Sequence, residues 1–255
     1  MSASALKLIA LVTMVIDHSG AALGGYWAVT GAPPDAQLYY AMRAVGRAAF
    51  MLYTFFIAEG CRKSRSFGKY LLRLGLFALI SEIPFDFFLE NFRYVSSWRQ
   101  LTFLEFGGQN VFFTLFFGAL AIYIWEMRLY KPVALNILPA LCPVVLAGAL
   151  RGDYGAPGAA FIFLLYLLGA VPVAAIGIGK GRLLQILAVM AFGVYRYGGF
   201  PHAYWLIAGA WSAALLLGFY NGERGSGASW LKWFFYLVYP AHLAVLAGVF
   251  RWVVR

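Results

Sequence analysis

Apolar residues recur along the chain in runs long enough to cross a bilayer, punctuated by short stretches of Gly, Pro and charge. A helix needs about 20 mostly apolar residues to span hydrocarbon, and irregular backbone facing lipid would leave its polar groups unpaired, so the runs are read as helices. They fall near 5–28, 42–61, 68–90, 109–127, 132–150, 156–176, 182–198, 202–219 and 230–251. The pair around Gly198 and Pro201 also reads as one broken segment. The expected fold is all-α, a polytopic transmembrane helical bundle of about nine helices. A single integral membrane domain over residues 1–255 is expected.

Composition makes lipid the solvent: 63% of residues are hydrophobic and 12% charged. The polar stretches are too short to fold alone, so no soluble appendage is expected. Met1 to Ala5 lead straight into an apolar stretch holding Lys7, Asp17 and His18, with no small-residue cleavage site, which argues against a cleaved signal peptide. Two cysteines, Cys61 and Cys142, support neither a disulfide framework nor a cysteine metal site. A net charge of +10 would point a soluble protein toward nucleic acid. Here the basic residues lie in short loops beside apolar runs, so orientation and headgroup contact explain them and no nucleic-acid partner is expected.

The strongest orientation mark is the loop with Arg62, Lys63, Arg65 and Lys69. If it is cytoplasmic, so are the loops holding Arg128 with Lys131, Lys180 with Arg182, and Arg224 with Lys232, which puts the N-terminus inside and the C-terminus outside. Arg251 and Arg255 then fall on the opposite side, and Arg93 and Arg99 are balanced by Glu90 and Glu105. Trp27, Trp98, Trp230, Trp233 and Trp252 lie near helix ends, where amphipathic rings are favoured.

An ionisable side chain inside a span costs on the order of 2.5–3.5 kcal/mol by insertion scales, so each asks for a partner or a purpose. The first helix holds Lys7, Asp17 and His18, the second Arg43, Arg47 and Glu59, the third Arg73, Glu82 and Asp86, and the last His242. Mutual pairing that holds the bundle together is the plain structural reading for any one of them. At about 100° and 1.5 Å per residue, Lys7 and His18 share a face roughly 16 Å apart, a spacing that suits an extended thioester whose phosphates meet Lys7. Asp17 is about 100° round the helix from His18, so a bent backbone or another acid is needed to orient the ring. Glu82 and Asp86 share a face with Pro84 between them, and Arg43 and Arg47, spaced alike around Gly46, are natural partners for them. No histidine pair stands at ligand spacing, so no metal is expected. Gln109 and Asn110 open the fourth helix and read either as a cap with interhelical bonds or as an anion or oxyanion site. Arg151, Asp153 and Tyr154 read as a loop, and His202 as interfacial.

In order, several stretches resemble the TraX family of membrane proteins, which includes the enzyme that acetylates the N-terminal amine of conjugative F-type pilin. They are Leu6-Lys7-Leu8-Ile9-Ala10 leading to Met14-Val15-Ile16-Asp17-His18, Arg43-Ala44-Val45-Gly46-Arg47-Ala48-Ala49-Phe50, and Phe56-Ile57-Ala58-Glu59-Gly60. Lys69-Tyr70-Leu71-Leu72-Arg73-Leu74, Ser81-Glu82-Ile83-Pro84-Phe85-Asp86 and Gln109-Asn110-Val111-Phe112-Phe113-Thr114-Leu115 continue the series. The likeness covers mainly residues 6–120, with Tyr239-Pro240-Ala241-His242 the best match beyond, and Met51 stands where the family pattern has proline.

The resemblance implies acyl transfer in a bacterial inner membrane, from acetyl coenzyme A to an amine or hydroxyl presented at or across the bilayer, such as a protein N-terminus. On that expectation Lys7, Arg43, Arg47, Lys69 and Arg73 hold the coenzyme A phosphates. His18 is the general base, with a transient acetyl-histidine as the less favoured route. Asp17 orients or stabilises His18, and Asn110 donates to the oxyanion. Glu59, Glu82 and Asp86 position the arginines or meet the acceptor, with His242 supporting. A proton-coupled transporter using Asp17, Glu59, Glu82 and Asp86, or a scaffold for another membrane complex, are the alternatives.

Overall fold

A computed structural model describes residues 1–33, 35–93, 108–171 and 181–253. Among the described residues there are nine α-helices and no β-strand. They are α1 (Ala3–Thr30), α2 (Ala36–Lys63), α3 (Phe67–Arg93), α4 (Val111–Glu126), α5 (Ile137–Ala149, entered through a 3-10 turn, Val133–Asn136), α6 (Gly155–Gly169), α7 (Arg182–Tyr197), α8 (Ala203–Gly218) and α9 (Ser229–Val253). Number and order match the nine apolar runs. Two boundaries differ most: α2 starts at Ala36 rather than near 42, and α6 closes at Gly169 rather than near 176; α7 and α8 are separate helices, as the nine runs have them, and not one broken segment. Left-handed backbone at His202, with φ 55°, ends any continuation through Pro201. Trp98, Arg99, Glu105, Lys180 and Arg255, used as topology marks, lie outside the described residues.

Residues Ala3–Ala28 of α1, together with α2 and α9, are long and apolar enough to cross a membrane. Four more elements are apolar but shorter. The 16 residues of α4, for example, rise about 24 Å against roughly 30 Å of hydrocarbon. Side chains such as Leu79, Val145, Leu215 and Val245 are more than half exposed. Such surface is costly in water and costs nothing against acyl chains. The architecture is an all-α helical membrane fold.

The helices gather into two compact units. The first takes Met1–Tyr53, Ile83–Leu104 and Ile186–Arg255, hence α1, the first part of α2, the end of α3, nearly all of α7, and α8 and α9. Within it Ser2 caps α1 through its hydroxyl, and the next N–H groups, of Ala3 and Ser4, donate to the Glu223 and Arg224 carbonyls of the α8–α9 loop at 2.8 and 3.1 Å. These N–H groups have no intrahelical acceptor, so the loop carbonyls satisfy them. Gly31 ends α1 in the left-handed conformation that favours glycine. Two glycines set the helix separations: a Cβ at Gly46 would overlap the Asp17 Cβ, and one at Gly209 would overlap the Ala44 carbonyl oxygen. Dispersion and polar contacts between helices in lipid depend on such close approach.

The second unit takes Thr54–Glu82 and Glu105–Gln185. Here α4, α5 and α6 pack against one another, Ile162 of α6 lying over Gly118 of α4. The C-terminal carbonyls of α6 find side-chain donors: Arg62 bonds Tyr166 O at 2.5 Å and Gln185 bonds Leu165 O at 2.8 Å.

Gly209→Ala should lower the thermal unfolding midpoint in detergent, with a cost of about 1–3 kcal/mol or more from forced overpacking. Gly248→Ala in α9, where an added Cβ meets nothing within 4 Å, should be neutral or gain up to about 1 kcal/mol of helix propensity. Equal effects would contradict the close approach of α8 to α2.

Candidate functional site

In the first unit, Asp17 and His18 point to different neighbours, as their angular offset on a helix requires. Asp17 turns to α2. Its Oδ1 takes Arg43 Nη1 at 3.0 Å and also pairs with Arg47 Nη2. Arg43 donates to the Asp17 carbonyl at 3.1 Å, and Arg47 Nε donates to the Arg43 carbonyl at 2.9 Å. Gly46 lies between the two arginines with no side chain to hold α1 away. One buried carboxylate thus serves two guanidiniums. Among the described residues, Nε and Nη2 of Arg43 have no hydrogen-bond partner. Arg47 also lies over the Tyr197 ring, 5.5 Å from its centroid.

His18 turns instead to α9. Its Nδ1 is 2.6 Å from Nε2 of His242, and His242 Nδ1 is 2.8 Å from the Val238 carbonyl. Phe88 at 5.6 Å and Tyr239 at 6.1 Å, centroid to centroid, wall the His18 ring. The expectation that Asp17 orients His18 is therefore corrected: the ring partner is His242, and Asp17 holds the arginines. Val238 and Phe88 went unnoticed in the sequence because each is an ordinary apolar or aromatic residue of a span. Pro240 beside His242 is the signal that marks this turn of α9.

In the second unit, Asn110 caps α4, its Oδ1 accepting from Phe112 N at 3.0 Å. Its Nδ2 donates to Ala78 O at 2.8 Å and to Glu82 Oε2, while its backbone N–H reaches the same carboxylate oxygen at 3.2 Å. Both amide hydrogens are committed, so the assignment of Asn110 as an oxyanion donor is corrected. It is a cap and a partner for Glu82. The anion at the positive end of α4 is the protein's own carboxylate.

The other expected residues fall as follows. Lys7 lies in α1 one turn after Ser4, whose N–H and hydroxyl bond the Arg224 carbonyl, so that end of α1 carries Arg224 as well. Glu59 pairs with Lys63 at 2.7 Å and lies 4.0 Å from Arg62, both on its own helix. Asp86 is buried near the end of α3 in the first unit. In the second unit Lys69 is exposed at the start of α3. One turn on, the Arg73 guanidinium lies 5.8 Å from the Tyr70 ring, with Nε buried and unpartnered among the described residues. The open Arg43 donors of the first unit suit an anionic group, and the buried Arg73 Nε of the second is, taken by itself, a donor of the same kind. Among the described residues no three His, Cys, Asp or Glu side chains gather to hold a metal ion.

A helical protein embedded in lipid, with an Asp-Arg-Arg cluster and a linked histidine pair inside its first unit, is the class that fold and geometry define. The chain belongs to the TraX family: the family described as TraX protein matches residues 2–250. That match runs through the second half, where motif resemblance was confined to the Tyr239–His242 stretch. The chain is also similar to the probable fimbrial assembly protein FimC, serogroup H1, of Dichelobacter nodosus, 33% identical over 259 residues that span 97% of this chain and 95% of that one. No solved structure matches.

Asn110→Ala removes the α4 cap and a side-chain donor to a buried carboxylate. Thermal unfolding should show a loss of about 1–3 kcal/mol or more, the range for an unsatisfied buried group. A change below about 0.5 kcal/mol would contradict the cap.

Proposed function

We propose that this chain is a membrane-embedded acyltransferase that moves an acetyl group from acetyl coenzyme A to an amine or hydroxyl of an acceptor at or across the membrane, such as a protein N-terminus. The observation that carries the proposal is His18: an imidazole inside a membrane helix, hydrogen-bonded through Nδ1 and set on the helix next to the residue that gathers Arg43 and Arg47. Family membership and the fimbrial assembly name of the Dichelobacter relative support a pilus-related setting.

The thioester supplies an activated acetyl group: its C–S bond breaks, a C–N or C–O bond to the acceptor forms, and the acceptor's proton ends on the sulfur. His18, through its ring nitrogen, takes that proton from the attacking group and returns it. In the first unit Arg43, with open donors, binds phosphate, as does Lys7; in the second unit Lys69 and Arg73 each offer a cation to the same class of anion. Arg47, tied to Asp17 and Tyr197, positions Arg43. Glu82 and Glu59 hold their own elements in place, and Asp86 is kept as an acceptor-side group. The arginine- and lysine-rich loop after α2 supports an N-terminus on the cytoplasmic side of the inner membrane, where coenzyme A is found.

Acetyl coenzyme A at a hundredfold excess over its dissociation constant should stabilise the purified, detergent-solubilised protein by about 2.7 kcal/mol in thermal unfolding. His18→Ala should keep the shift and Arg43→Gln should reduce it. No shift for wild type, confirmed by calorimetry, would contradict the acyltransferase and favour proton-coupled transport.

A further inference from the structure

The two imidazoles of the first unit are joined edge to edge. Their planes differ by 10° and their centroids are 4.9 Å apart, while the facing nitrogens are 2.6 Å apart. The centroid separation is the nitrogen separation plus one ring radius on each side, so the rings lie end to end in a shared plane and not face to face. Imidazole lone pairs and N–H bonds lie in the ring plane, so this is the geometry of an N–H···N hydrogen bond.

Its direction follows from the third member. A backbone carbonyl only accepts, so Nδ1 of His242, 2.8 Å from Val238 O, carries hydrogen. In a neutral ring the other nitrogen, Nε2, then holds the lone pair and accepts. The hydrogen between the rings must therefore sit on His18 Nδ1, which leaves the lone pair of His18 on Nε2. Among the described residues Nε2 of His18 has no hydrogen-bond partner. Free imidazole side chains prefer the opposite tautomer, with hydrogen on Nε2, so the preference is imposed by His242. Tyr239 packs edge-on to both imidazoles, at 6.1 and 5.6 Å between centroids.

We propose that His242 is a positioning residue: anchored to the Val238 carbonyl, it fixes His18 as the Nδ1–H tautomer and makes Nε2 the basic atom. This rests on the acyltransferase reading for its purpose, but the tautomer is a property of the resting protein and is tested without turnover. When Nε2 takes a proton from the acceptor, the positive ring is stabilised through Nδ1–H by the neutral His242, with no proton leaving Nδ1. Asp17, Arg43 and Arg47 remain on the α2 side and hold the helix on which the ring is mounted.

Only three histidines occur, His18, His202 and His242, so nitrogen-15 NMR of histidine-labelled protein can be assigned by single substitutions. At a pH of about 8, above the ordinary histidine range near 6.5, wild-type His18 should show a protonated Nδ1 and an unprotonated Nε2. His242→Phe, which keeps a ring but cannot accept, should shift His18 toward Nε2–H. His242→Gln, whose amide has both an acceptor oxygen and N–H donors, should restore the wild-type pattern. Acetyl coenzyme A binding is measured on the same samples, so that loss of the acyl donor site and loss of tautomer control are read separately. The proposal is overturned if wild-type His18 carries its hydrogen on Nε2, a result that needs no variant to fold, or if His242→Phe leaves the His18 signals unchanged.

Discussion

A carboxylate in the middle of an apolar helix, shared by two guanidiniums of the next helix, is the contact on which the surroundings of His18 depend. None of the three charges is tolerable alone in hydrocarbon, and removing one partner of a buried ionic cluster costs far more than the cluster itself contributes. Asp17 therefore locks α1 to α2 at the level of Arg43 and Arg47. Gly46 permits the approach, and Arg47 is further held by the Arg43 carbonyl and the Tyr197 ring. With Asp17 committed to α2, the next residue round the helix is turned to α9, where His242 meets it. The chemistry proposed for His18 is a consequence of where its neighbour is tied.

The same constraint recurs in the second unit with different groups. Glu82 is held by the side chain and backbone of Asn110 at the positive end of α4. Arg62 and Gln185 complete the carbonyl end of α6. The Thr114 hydroxyl accepts from Tyr154 N at 3.3 Å where α6 begins. Many of the backbone and side-chain polar groups that lipid cannot satisfy are matched inside each unit, which helps a chain so apolar to carry so many ionisable residues.

The helices were legible because their cause is local: an apolar run of sufficient length has one stable form in lipid. Their ends were less so. Polar residues such as Gln37 extend α2 below the apolar threshold, and Ala170 and Val171 continue the apolar run after α6 has closed. Among site residues, the special status of Lys7, Asp17, His18, Arg43 and Arg47 could be read because a charge in a span is conspicuous. Their partners could not, because pairing depends on which helices adjoin, and α1 against α9 is a contact between residues more than two hundred apart. Asn110 was open to two readings for the same reason: a cap and an oxyanion donor look alike until the acceptor of each amide hydrogen is known.

The most direct test of this account is a double-mutant cycle between Asp17 and Arg47, using Asp17→Asn, Arg47→Gln and the pair, followed by unfolding in detergent. Asp17→Asn should cost about 3–5 kcal/mol, because it leaves two buried guanidiniums without their shared carboxylate, and Arg47→Gln less, because Asp17 keeps Arg43. The double variant should lose less than the sum by well over about 1 kcal/mol, the signature of groups in one network. Costs that add to within about 0.5 kcal/mol would mean the two residues do not share that network, and would contradict the claim that Asp17 fixes α1 and, through it, the direction of His18.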